Sequence, residues 1–162
     1  RKAAFAAMGQ ISPDYYVQDG VIPRTRLPEV LREIERLGNQ HGYRVANVFH
    51  AGDGNLHPLI LYNNAVPGEL EAVEALGGDI LKLCVEVGGS ISGEHGIGAD
   101  KSCYMPEMFS ATDLETMQWV RGAVNKQGLA NPTKIFPTPK TCGEAAYAGK
   151  ETVEKFKVLE RF

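Results

Sequence analysis

The chain has 162 residues, of which 43% are hydrophobic, and a formal net charge of -3. This composition suits one folded domain and excludes a disordered protein. A pI of about 5.8 gives no sign of nucleic-acid binding, and no apolar run approaches the roughly 20 residues that cross a bilayer. The 3 cysteines show no C-x-x-C spacing, which is typical of a reducing cytoplasm and argues against an iron–sulfur or zinc-finger role.

The order of the predicted elements indicates an α+β fold. Hydrophobic periodicity and turn residues predict strands at 15–18, 44–49 and 58–62, helices at 28–41 and 67–87, and a short strand at 90–92. This β-α-β-β-α-β order is the ferredoxin-like split pattern, which predicts an antiparallel sheet with helices on one face. The chain begins with Arg1 and carries no signal-peptide pattern, so we expect it to be a piece of a longer protein.

A C-terminal helical segment is expected after the sheet. Thr112 and Glu115 have the spacing of a capping box, and an apolar stripe that includes Leu114 and Val120 predicts a helix that stops before Gly128. We expect Trp119 to serve packing rather than chemistry. The polar tail at 141–162 carries no recognisable site.

The stretch from His50 to His57 predicts a hairpin with one histidine on each side of its turn. The intervening Gly-Asp-Gly-Asn is turn chemistry, because Gly and Asn tolerate positive φ. If the two histidines face each other across the hairpin, their Cβ atoms lie roughly 4.5–5.5 Å apart, and they can share one metal ion. A pair of polar residues at a strand end fits the same pattern.

The glycine-rich stretch 88–98 supplies Glu94 as a third, anionic ligand and His95 as a base. Adjacent side chains of extended backbone point to opposite sides, so we expect Glu94 to face a metal and His95 to face a substrate. The glycines let the backbone approach a ligand closely, although a flexible loop with an exposed Glu-His pair is also compatible. The stretch is neither a Rossmann fingerprint nor a Walker motif, so a nucleotide phosphate cradle is not supported.

Taken in order, the segments 50–57, 92–98 and 131–134 resemble those of flavin-linked 2-hydroxy-acid dehydrogenases of the vanillyl-alcohol-oxidase type. Segments 1–5, 11–16, 46–50 and 84–92 are most similar to the glycolate oxidase branch of this group. The resemblance covers residues 1–140, which would form a partial C-terminal substrate or cap domain, with 141–162 as a tail. The family usually has Gly where Thr133 stands.

The resemblance implies a role for each candidate residue. In metal-dependent members a divalent metal, zinc or a similar ion, is bound by the positions that match His50, His57 and Glu94. The position that matches His95 acts on the substrate hydroxyl, and an Arg that matches Arg1 holds the substrate carboxylate. Asn131 matches a position near the flavin.

The implied reaction is oxidation of a small 2-hydroxy acid to the 2-oxo acid by hydride transfer to FAD. A domain N-terminal to this chain would bind most of the FAD, so the fragment alone is expected to be inactive. The implied partners are the substrate, that flavin domain of the same protein, and further glycolate oxidase subunits of a second flavin type and an iron–sulfur type. The implied location is cytoplasmic, peripheral to the inner membrane through those subunits, with no nucleic-acid partner.

Two positions depart from relatives that oxidise dicarboxylic hydroxy acids. Those relatives carry a Lys near the position of Val17 and an Asn at the position of Leu59. Neither Val17 nor Leu59 can pair with a distal carboxylate, which favours glycolate or lactate as the substrate. The alternatives from the residues alone are a free-standing metal-dependent hydrolase that uses His50, His57 and Glu94, and a non-catalytic ferredoxin-like interaction module.

Overall fold

The computed structural model describes residues 7–137, and the chain divides into two compact units between Gly96 and Ile97. The first unit contains four strands and two α-helices. The strands are β1 (Asp14–Val17), β2 (Gly20–Val21), β3 (Val45–His50) and β4 (Asn55–Tyr62). The helices are α1 (Leu27–His41), preceded by a 3-10 turn at Arg24–Arg26, and α2 (Glu69–Glu86).

The sheet of this unit is antiparallel and is built around β4. β3 pairs along one side of β4, while β1 and β2 pair along its other side, one after the other. The register puts Val48 opposite His57 and Val17 opposite Leu59. Because β4 contacts each of the other three strands, it sets the alignment of side chains that arrive from separate parts of the chain.

Both helices pack against one face of the sheet. The shared core consists of Ile22, Val30, Ile34, Leu56, Ile60, Val73, Leu76, Ile80 and Cys84. Successive strand residues face opposite sides, so Leu56 and Ile60 point toward the helices, whereas His57 and Leu59 lie on the other face. The helices therefore stabilise the sheet without covering the face that carries His57.

The predicted α+β class, with an antiparallel sheet and its helices, is confirmed. Three details differ from the prediction. The predicted strand at 90–92 is reduced to a single bridge between Ser90 and Val21, and β2 was not predicted. α2 begins at Glu69 rather than at Pro67 and runs unbroken past Gly77, where a Cβ atom would lie 2.9 Å from the Tyr16 ring. Gly77 therefore allows α2 to pack closely on β1.

The second unit, in its described part, contains a 3-10 turn at Ser102–Tyr104 and helices α3 (Met105–Met108) and α4 (Ala111–Val124). The predicted capping box at Thr112 and Glu115 is wrong. Ser110 caps α4 by accepting from the Asp113 amide, and Asp113 binds the Ser110 amide in return. The hydrogen bond from the Ser110 hydroxyl is the main cause that holds the pKa of Asp113 below its ordinary value. Ser110 has the same three-residue spacing to an acid as Thr112, but it comes at the true start of the helix.

The predicted apolar stripe of α4 is only partly buried. Leu114 is 9% exposed, but Trp119 is 67% and Val120 is 64% exposed. The exposure of Trp119 does not support the expectation that this residue serves packing.

The cysteines do not share one state. Cys84 forms no disulfide and lies in the core of the first unit, whereas Cys103 is disulfide-bonded. The expectation of a cytoplasmic location stays a prediction. No helix within residues 7–137 combines the length and apolar character needed to cross a bilayer.

Three expectations fall outside the described residues. These are the substrate-carboxylate role of Arg1, the tail at 141–162 and the domain boundary at residue 140. All three stay predictions.

Candidate functional site

The two hairpin histidines meet diagonally rather than face to face. His50 ends β3 opposite Asn55, while His57 lies further along β4 opposite Val48. The turn between the strands is closed by the amides of Asp53 and Gly54, which both donate to the His50 carbonyl at 3.0 Å. The direct cross-strand pairing considered from the sequence is therefore not formed, yet the two rings lie 5.4 Å apart between centroids, nearly perpendicular.

Glu94 joins the two histidines, as the sequence predicted. Its Oε1 atom lies 3.0 Å from Nε2 of His57. One ligand atom from each of the three residues lies within 4.8 Å of the other two. His57 is buried, whereas the Glu94 side chain is 53% exposed, so the cluster is anchored in the sheet and open toward solvent.

His95 lies against the same cluster. Its ring stacks on the His57 ring at 5.0 Å between centroids, and its Nε2 atom is 3.7 Å from Oε1 of Glu94. The expectation that Glu94 and His95 point to opposite sides is therefore wrong. It assumed extended backbone, but residues 93–95 form a bend, which turns both side chains toward His57.

The donor set fits a divalent cation. Two imidazoles and one carboxylate are the protein ligands of many catalytic zinc sites, which keep a further position open. In the part of the chain that the structure describes, Nδ1 of His57 and Oδ1 of Asn55 are buried without a hydrogen-bond partner. Buried polar atoms are normally paired, and two exceptions lie in neighbouring residues of this cluster.

A cleft of about 290 Å³ opens beside these residues. It is lined by Val21, His50, Asp53, Asn55, Gly93 and Glu94. Its volume is at the lower end of the range for small-molecule sites, which suits a ligand of few atoms. A Cβ atom at position 93 would lie 2.6 Å from Oδ1 of Asn55, so the loop passes this close only because the residue is Gly93.

Two residues of the site were not identified from the sequence. The sequence predicts a turn at Asn55, but this residue is 6% exposed and its Nδ2 atom lies 3.5 Å from Nε2 of His57. Asp19 directly follows the predicted strand at 15–18, but it is fully buried and hydrogen-bonded to the loop that carries Glu94. The available signal was the spacing of Asn55 and His57, which places both on one face of a strand.

Asn131 belongs to the second unit. It has a positive φ of 44°, and its carbonyl accepts a hydrogen bond of 2.7 Å from Arg121. The same guanidinium donates to the carbonyls of Ala130 and Lys134. Arg121 therefore holds the segment that contains Asn131, and the proposed flavin contact of Asn131 stays a prediction.

Comparison with known proteins identifies the relatives of this chain. Residues 1–135 match the family model described as "FAD linked oxidases, C-terminal domain". The chain is 57% identical over 144 residues to the glycolate oxidase subunit GlcD of Escherichia coli, an alignment that covers 89% of this chain. It is 29% identical over 136 residues to glycolate oxidase subunit GlcD of Bacillus subtilis, with 84% of this chain covered.

A D-lactate dehydrogenase of Anaerostipes hadrus is 35% identical over 118 residues, 72% of this chain and 25% of that protein. The chain spans 29% of the length of each GlcD protein. These matches confirm the resemblance that the ordered motifs indicated.

Proposed function

The chain belongs to the FAD linked oxidases, of which it carries the C-terminal domain, and we propose on this premise that it forms the substrate-binding part of an enzyme that oxidises a small 2-hydroxy acid. Glycolate and D-lactate are the proposed substrates, since matched relatives carry those names. The observation that carries the proposal is the convergence of His50, His57 and Glu94 within 4.8 Å. The ring of His95 beside them supplies a group that can move a proton.

Each residue would do one part of the chemistry. His50, His57 and Glu94 would hold a divalent cation, zinc or a similar ion. When bound, the cation would polarise the substrate hydroxyl, and FAD would take up the hydride from the adjacent carbon. His95 would accept the hydroxyl proton, because an imidazole exchanges protons near neutral pH and its side chain is 52% exposed. Arg1 would bind the substrate carboxylate as a bidentate partner.

The surface next to His57 supports a substrate with one carboxylate. Leu59 follows His57 on the same face of β4, and Val17 lies directly opposite Leu59 on β1. The two departures from the dicarboxylate-oxidising relatives are therefore neighbours. Leu59 is 0% exposed, and a second carboxylate placed there would lose its hydration without gaining a partner.

The remaining partners belong to the same proposal. FAD would be bound mainly by an N-terminal flavin domain, because the alignment covers only 29% of the Escherichia coli relative. Asn131 would contribute a contact near the flavin. Further subunits of a second flavin type and an iron–sulfur type would pass on the electrons, which is supported by the description of the relatives as subunits of an oxidase.

A chimera tests this function. The matching C-terminal part of the Escherichia coli subunit, to which this chain is 57% identical, is replaced by this chain, and reduction of a dye is followed with glycolate, D-lactate and an ester. We expect oxidation of one or both hydroxy acids and no hydrolysis of the ester. His95→Asn should lower kcat by about 10²–10⁴-fold.

His41→Asn is the matched control, because His41 pairs with Asp79 on the helices at 3.0 Å, and it should leave kcat unchanged. A chimera that folds, binds FAD and oxidises neither acid contradicts the proposal. Ester hydrolysis by the isolated chain, abolished by Glu94→Ala, would instead support the metal-dependent hydrolase.

A further inference from the structure

Asp19 forms the main connection between the sheet and the loop that carries Glu94 and His95. Its carboxylate is 0% exposed, and Oδ2 accepts four hydrogen bonds from that loop. The donors are the Ser92 hydroxyl at 2.8 Å and the backbone amides of Gly93 at 3.0 Å, Glu94 at 3.1 Å and His95 at 2.9 Å. A buried carboxylate needs such donors to offset its lost hydration.

The contact fixes the direction of the two side chains. Three consecutive amides that converge on one oxygen form a concave anion-binding nest, which leaves the backbone at 93–95 little freedom. The Ser92 hydroxyl also accepts from the Gly96 amide at 2.9 Å and closes the bend. The bond from each Cα to Cβ follows from the backbone, so Asp19 determines the direction in which the side chains of Glu94 and His95 leave the main chain.

The sheet register places Asp19 beside His57. Val17 lies opposite Leu59 and Gly20 lies opposite Leu56, so position 19 falls opposite position 57. The Gln18 amide donates to the Pro58 carbonyl at 3.1 Å and continues the pairing between them. One strand alignment therefore positions His57 directly and positions Glu94 through the nest.

We propose that Asp19 is a positioning residue that aligns Glu94 and His95 with His57. The proposal rests on the proposed function of these residues and extends it to a group that touches neither substrate nor cofactor. The Ser90–Val21 pair, with hydrogen bonds of 2.9 Å in both directions, fastens only the start of the loop. Asp19 aligns the part that carries the chemistry.

Two variants and a matched control test the proposal in the purified 162-residue chain. Asp19→Ala removes the acceptor, and Asp19→Asn keeps an oxygen of the same reach without the charge. Asp14→Asn is the control, because Asp14 also holds a distant loop by accepting the Asn64 amide at 2.9 Å, away from the site. The melting temperature of each variant is measured alongside.

The first readout is binding of Co²⁺, followed by its visible absorption. We expect Asp19→Ala to weaken the affinity by about 10–100-fold, the range found when residues that orient metal ligands are removed. Asp19→Asn should lie between Asp19→Ala and the native chain, and Asp14→Asn should bind as the native chain does. If Asp19→Ala does not fold, the proposal is tested by comparing the Co²⁺ affinity of Asp19→Asn with that of the native chain.

The second readout does not depend on a metal. The rings of His57 and His95 lie 5.0 Å apart, close enough for a nuclear Overhauser effect between ring protons in the metal-free chain. This effect should be present in the native chain and in Asp14→Asn, and should be lost or reduced in both Asp19 variants. Failure of the native chain to bind Co²⁺ would contradict the proposed metal site, but the ring contact would still decide the role of Asp19.

The proposal is overturned if folded Asp19→Asn and Asp19→Ala keep the ring contact at native strength. It is also overturned if they lose that contact but bind Co²⁺ as tightly as the native chain, since Asp19 would then shape the loop without aligning the ligand.

Discussion

Thr133 occupies a position at which the family usually has glycine. Its backbone conformation explains the preference for glycine there. Its φ of 66° lies in the left-handed region, where a side chain with a Cβ atom costs roughly 1–2 kcal/mol. A β-branched residue is especially disfavoured there. Asn131 and Ile135 on either side also have positive φ, so the segment is held in an unusual conformation. The Arg121 guanidinium, which binds carbonyls along this segment, helps to maintain it.

Thr133→Gly should therefore stabilise the chain. The relief of strain exceeds the entropy that glycine adds to the unfolded chain, which costs about 0.5–1 kcal/mol. We expect a rise in melting temperature of roughly 2 °C. Thr133→Ala, which keeps the Cβ atom, is the control and should give a smaller rise. A lower melting temperature for the glycine variant would show that the Thr133 side chain contributes more than its backbone strain costs.

Residue identity at the site was more predictable than geometry. His50, His57 and Glu94 were recognised because their types and spacing suit a metal ligand set, and the structure brings them together. The diagonal placement of His50 was not predictable, because it depends on where the turn closes and hence on the strand register. Asp19 was not recognised, because nothing local shows that an Asp-Gly pair is buried by contacts 73 residues or more away.

At the scale of secondary-structure elements, the candidate site depends on the connection between β2 and the glycine-rich loop. β2 has only two residues, too few to be recognised from a hydrophobic pattern, and it pairs with both β4 and Ser90. Helices α1 and α2 were predictable because their apolar stripes repeat over many residues. The conformation of the glycine-rich loop was not predictable, because it depends on long-range hydrogen bonds and on glycines in close contact with the backbone of other segments.

Gly89→Ala tests this connection. A Cβ atom at position 89 would fall on the carbonyl oxygen of Val21 and lie 2.7 Å from that of Cys84. Backbone oxygens cannot rotate away, so the loop must shift, at a cost of roughly 1–3 kcal/mol. We expect lower stability in urea unfolding and weaker Co²⁺ binding.

Gly52→Ala is the matched control for this variant. It lies in the hairpin turn with nothing within 4 Å of the added atom, so both quantities should stay near native. Native Co²⁺ binding by Gly89→Ala would mean that the site tolerates movement of the loop.

At the scale of the whole molecule, the chain carries the C-terminal domain of the FAD linked oxidases. The alignment covers 29% of the Escherichia coli relative. In the first unit, the candidate site lies on the face of the sheet opposite the helices. Under the proposed function, the apolar pair Val17 and Leu59 on that face would offer no partner to a second substrate carboxylate.

Substitution of both residues of this pair should therefore change the substrate preference. In the chimera, Val17→Lys together with Leu59→Asn should lower kcat/KM for glycolate and raise it for D-2-hydroxyglutarate, by about tenfold or more in their ratio. The new cation and amide would pair with the distal carboxylate. Val66→Lys, at an exposed position outside the strands, controls for added charge. An unchanged ratio would place the determinant of substrate size elsewhere.

The metal content of the purified chain tests the central claim most directly. The chain is equilibrated with zinc, manganese or iron, dialysed and assayed by elemental analysis, beside Glu94→Ala and the control Glu35→Ala on the exposed side of α1. The account predicts about one ion per chain, lost in Glu94→Ala and retained in Glu35→Ala. An equal metal content in Glu94→Ala, or none of the three metals in the native chain, would contradict a metal site assembled from His50, His57 and Glu94.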